Sequence, residues 1–75
     1  MAKVFIETKP NDDERYMTIR LFVDGKFEYS YPATLGTVTK TRNMLIDLWS
    51  NAPEVTEVTA SPIEYPAAHC PEGLR

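Results

Sequence analysis

The sequence predicts an α+β domain: a three-stranded antiparallel sheet in β-β-β order, with one helix packed on one of its faces. Three observations carry this expectation. Apolar and polar residues alternate from Lys3 to Thr8, from Met17 to Val23 and from Lys26 to Tyr31, the two-residue period of half-buried strands. An Asp24-Gly25 pair, common hairpin-turn chemistry, separates the second run from the third. Beyond Gly36 the apolar residues recur at three- and four-residue spacing, the period of an amphipathic helix.

A chain of 75 residues makes one small domain, 1–75, in which 61–75 reads as an extended tail. With 43% hydrophobic and 25% charged residues, its composition is that of ordinary globular chains and not of disordered ones. The formal net charge of -3 works against non-specific nucleic-acid binding, which needs a basic footprint. A single cysteine, Cys70, excludes an internal disulfide framework. The opening MAKVFIETK has too short an apolar stretch for a signal peptide or a membrane span, so a cytoplasmic protein is expected.

In the first strand, Val4 and Ile6 are expected to point into the core, and Lys3, Phe5 and Glu7 outward. Pro10 ends that strand, and Asn11-Asp12-Asp13-Glu14 is loop chemistry. The hairpin holds more apolar residues than one face needs. A regular two-residue turn would set Met17, Ile19 and Leu21 on one side and Phe27, Tyr29 and Tyr31 on the other. A three-residue Val23-Asp24-Gly25 loop, with Gly25 left-handed, pairs Phe22 with Lys26 and Leu21 with Phe27. That register gathers the aliphatic and aromatic rows on one face and sets Arg20 opposite Glu28, so it is the register expected.

Pro32 to Gly36 breaks the third strand. A helix follows from about Thr37 to Asn51, with Val38, Leu45, Leu48 and Trp49 toward the sheet and Thr34 or Thr37 as its cap. Ala52-Pro53 stops it. Glu54 to Thr59 has β-propensity but poor alternation, and is a candidate short fourth edge strand. Pro62, Pro66 and Pro71 keep the Pro-rich C-terminal tail extended.

No catalytic residue, metal ligand set or cofactor site is expected. The one histidine and one cysteine are sequence neighbours, His69-Cys70, and their side chains diverge in an extended segment, out of nucleophile–base reach. Zinc needs about four ligands. The three glycines are isolated, so there is no phosphate-binding loop. The candidate partner-binding residues are Asp12, Asp13, Glu14, Phe5, Arg20 and Phe22. Asp12-Asp13-Glu14 is either a solvated loop tip or an acidic prong for a basic groove. Phe5 and Phe22 fall on the outer sheet face, where the tail covers them with Ile63 and Tyr65 or they form an aromatic binding patch. Stacking of single-stranded RNA on these rings, helped by Arg20, Lys3 and Lys26, is opposed by the acidic total.

The first strand ends Ile6-Glu7-Thr8-Lys9-Pro10-Asn11, and Asp24-Gly25-Lys26 closes the hairpin. The helix ends near Trp49-Ser50-Asn51-Ala52-Pro53, and the tail closes in Glu72-Gly73-Leu74-Arg75. In the order of these signals the chain resembles small phage-encoded anti-CRISPR proteins of type I systems. The resemblance implies a compact, acidic, non-enzymatic inhibitor. Its partner would be a protein or ribonucleoprotein, a CRISPR surveillance complex, whose target-DNA binding it blocks. A single-stranded nucleic-acid-binding module and a small phage structural or assembly protein are the competing classes.

Overall fold

The computed structural model describes residues 2–65. Four strands and one helix follow in the order β1 (Ala2–Pro10), β2 (Tyr16–Val23), β3 (Lys26–Thr34), α1 (Val38–Ser50) and β4 (Val55–Ala60). They form a single sheet of spatial order β3-β2-β1-β4, with α1 on one face. The sheet is mixed. β1 to β3 form the expected antiparallel meander, and β4 joins β1 in parallel. Parallel strands need a crossover. α1 supplies it by carrying the chain from the β3 edge back over the meander to the far edge.

The core lies between sheet and helix. Val4 and Ile6 of β1, Met17, Ile19 and Leu21 of β2, Ala33 of β3 and Val38 of α1 are buried, with Leu45, Ile46, Trp49, Val55, Val58 and Ile63 packed against them. β1 and β2 contribute alternate residues, as a two-residue period requires, while Val55 and Val58 of β4 lie three apart across a register shift. The helix departs from expectation at one position. Leu48 is 64% exposed, and Ile46 takes part in the packing instead.

The hairpin register differs from the expected one. Val23 pairs with Lys26 and Phe22 with Phe27, so the turn is the two-residue Asp24-Gly25. Both turn residues have positive φ, 52° and 84°, as a type I′ turn demands. Aspartate is among the few non-glycine residues that tolerate this region. Asp24 is also held from both sides: its N–H donates to the Lys3 carbonyl at 2.8 Å, and Lys3 N–H donates to its carboxylate at 3.0 Å. The bulge sits further along β3, where the ladder shifts and leaves Glu28 unpaired. Beyond it Tyr29 faces Leu21, and Tyr31 faces Ile19, so the aromatic row still joins the aliphatic one. Phe27, ahead of the bulge, stays with Phe22 on the outer face. Arg20 faces Ser30 rather than Glu28.

The helix begins after Thr37 and ends at Asn51. Thr37 holds the N-cap position but makes no side-chain capping bond; its hydroxyl lies 2.7 Å from that of Thr34. Past β4 the chain stays on the helix side. Ser61 N–H donates to the Ile6 carbonyl at 2.9 Å, Arg42 of α1 donates to the Ser61 carbonyl at 3.1 Å, and the Tyr65 hydroxyl lies 3.4 Å from that of Thr39. Ile63 and Tyr65 therefore do not cover Phe5 and Phe22. His69-Cys70 and the prolines at 66 and 71 lie outside the described residues.

Candidate macromolecule-binding face

Strand pairing places three phenylalanines in one row across the outer face. Phe5 of β1 is the register partner of Phe22, and Phe22 is the register partner of Phe27. The ring centroids are 6.1 Å apart for Phe5 and Phe22, and 5.9 Å for Phe22 and Phe27, the latter edge to face. These are favourable aromatic separations. Phe22 is half-buried between its neighbours, while Phe5 and Phe27 are 39% and 55% exposed. The row continues onto β4 as Thr59, the partner of Phe5.

Polar residues rim this strip on both sides. Toward the middle of the sheet stand Ser30, Arg20 and Glu7, which are successive register partners. Arg20 donates to the Glu7 carboxylate, and its guanidinium carbon lies 5.4 Å from the Phe22 ring centroid. The hydrogen bond to Glu7 also raises the pKa of Arg20 above its ordinary value. Toward the hairpin tip stand Asp24, Lys3 and Glu57, the last two opposite each other across β1 and β4. An apolar strip with a charged rim has the anatomy of a protein-binding surface.

The six candidate residues separate into two groups. Phe5, Arg20 and Phe22 are brought together. Asp12, Asp13 and Glu14 lie in the β1–β2 loop, at the opposite end of the sheet from the Asp24-Gly25 turn. Five residue steps along β1, from Phe5 to Pro10, put about 17 Å between the phenylalanines and the start of that loop. Within the loop, Asp13 is structural. Its N–H donates to the Asn11 side chain at 3.0 Å, and its carboxylate accepts from the Arg15 N–H at 3.0 Å and from the Arg15 guanidinium at 3.1 and 2.9 Å. These bonds from Arg15 lower the Asp13 pKa from 3.8 to about 2. Asp12 and Glu14 are exposed, and neither makes a side-chain hydrogen bond or ion pair among the described residues.

Phe27 was not among the expected site residues, because the three-residue loop turned it inward. The signal was present: an Asp-Gly pair favours the two-residue turn that turns Phe27 outward. Among the described residues no group of three or more His, Cys, Asp or Glu is placed to hold a metal ion. No described helix is long and apolar enough to cross a membrane. Compared with protein-family models, curated protein sequences and solved structures, the chain matches none.

Proposed function

We propose that this protein is a non-enzymatic inhibitor that docks a macromolecular partner on the outer face of its sheet. The partner is a type I CRISPR surveillance complex, whose target-DNA binding it blocks. The observation that supports docking on this face is the Phe5–Phe22–Phe27 row with its charged rim, left uncovered by the helix and by residues 61–65. Aromatic clusters framed by polar residues are where binding energy concentrates in protein interfaces. The choice of partner rests on the sequence resemblance. The net charge of -3 suits a lysine-rich surface built for DNA.

One observation favours a second class. Rings on three adjacent strands also suit the stacking of unpaired bases, with Arg20 beside them. Arg20 is already matched by Glu7, however, and the chain is acidic. The deciding experiment measures target-DNA binding by purified type I surveillance complex with and without this protein. In parallel, direct binding of labelled single-stranded RNA and DNA is measured. Loss of target binding with no affinity for the free strands supports the inhibitor. Unchanged target binding rejects this partner, and tight strand binding replaces the inhibitor by the nucleic-acid module.

A further inference from the structure

A second surface lies on the helix, away from the proposed docking face. α1 packs mainly over β4 and β1, off the centre of the sheet. Arg42 and Thr39 mark the flank that faces the tail. Helical spacing sets Met44 and Leu48 on the other flank, toward β2 and β3. Both are apolar and exposed, 62% and 64%, and Tyr29 on the inner side of β3 is 54% exposed. Met44 and Leu48, one turn apart on the same helix flank, form an exposed apolar pair. They also flank a small core, which an oligomeric partner would extend.

The charges on this helix face identify the occupant. Lys40 and Asp47 stand two turns apart on one line of the helix, with Met44 between them and Leu48 beside Asp47. A shallow, open depression on this helix surface takes in Lys40, Asn43, Met44 and Asp47 and extends round to Thr39 and Ile46 on the tail flank. Opposite charges two turns apart, with the exposed Met44 between them, complement a second copy of the same helix laid antiparallel. With the two-fold axis at the level of Asn43 and Met44, Lys40 of each copy meets Asp47 of the other. The Met44 side chains pack near the axis, flanked by Leu48. Such a contact is isologous, the arrangement of most homodimers. Strand addition at the β3 edge is disfavoured, because the Glu28 bulge and Pro32 interrupt that edge.

We propose that the protein forms a symmetric dimer through antiparallel packing of α1 against α1 of a second copy. The outer sheet faces then point away from the contact, and each dimer carries two docking faces.

Sedimentation velocity of the full chain across a wide concentration range tests this. A dimer that grows with concentration is expected, and Leu48→Glu should abolish it while the circular dichroism spectrum stays unchanged. Asp47→Lys should weaken it roughly tenfold or more, by setting like charges together. The double variant Lys40→Asp/Asp47→Lys should restore it, a readout that general loss of stability cannot imitate. Phe27→Ala should leave it intact, which separates this contact from the outer face. A monomer at every concentration, a dimer that survives Leu48→Glu, or a double variant that fails to recover would each overturn the proposal.

Discussion

Arg20 lies over the ring of Phe22, 5.4 Å from its centroid, while the same guanidinium is tied to Glu7 on the neighbouring strand. The ion pair crosses from β1 to β2, and the cation contact runs along β2 to the centre of the phenylalanine row. Glu7 thus fixes where the positive charge stands at the edge of the apolar strip. Partly exposed pairs of this kind add little to stability. Their consequence is positional: a cation is already set beside the phenylalanine row.

Arg20→Ala should therefore leave thermal unfolding nearly unchanged while weakening partner binding. Glu7→Gln should weaken binding less, since it frees the cation without removing it. Unfolding curves and binding titrations on the two variants check this. Equal losses from both would assign the effect to the ion pair alone.

Gly25 has φ +84°, and a Cβ built there meets nothing within 4 Å. The cost of Gly25→Ala is then purely conformational, about 1 kcal/mol in denaturant unfolding. Gly25→Asn should cost less, because asparagine tolerates the left-handed region better. A silent Gly25→Ala would show that the turn is not type I′.

The hairpin also shows where sequence reasoning reaches its limit. Alternation placed Val4, Ile6, Met17, Ile19 and Leu21 inward correctly, because burying one face fixes the phase of each strand. It misplaced Phe27, because one bulge at Glu28 reverses the phase within β3, and alternation alone does not locate bulges. The parallel pairing of β4 was illegible for a different reason: six residues with poor alternation carry no mark of which strand they join. Leu48 was assigned inward on spacing, which presumes a helix centred over its sheet, and α1 is displaced toward β4. Of the candidate site, Phe5 and Phe22 were readable as a surplus face. The split between that face and the acidic loop depended on which end of the sheet each occupies.

Asp13 should titrate with a midpoint of about 2 in carboxyl-detected NMR, below its ordinary 3.8. Its folded-state pKa is lowered, so its contribution to stability is present above about pH 4 and is lost as pH falls through about 2. Arg15→Ala removes the largest cause, the guanidinium bonds, but keeps the backbone N–H bond, so the midpoint should rise part of the way toward the ordinary aspartate value. An unmoved midpoint would place the cause elsewhere.

Asp12 and Glu14 are the acidic side chains of the loop left for a partner, since Asp13 is engaged by Arg15. Asp12→Lys/Glu14→Lys should slow association and flatten its salt dependence, with little effect on dissociation. Stopped-flow or surface-based kinetics at several salt concentrations reads this directly. Unchanged association would make the cluster a solvated turn.

Truncation of Phe27 tests the central claim most directly. Its ring is 55% exposed, so Phe27→Ala should keep the fold, as seen by circular dichroism and thermal unfolding. The measurement is the affinity of wild type and Phe27→Ala for the type I surveillance complex. An interface built on the phenylalanine row predicts faster dissociation and an affinity at least about tenfold weaker, the scale of a hot-spot truncation. Equal affinity of a folded Phe27→Ala variant would contradict it, and the outer face of the sheet would not be where this protein binds.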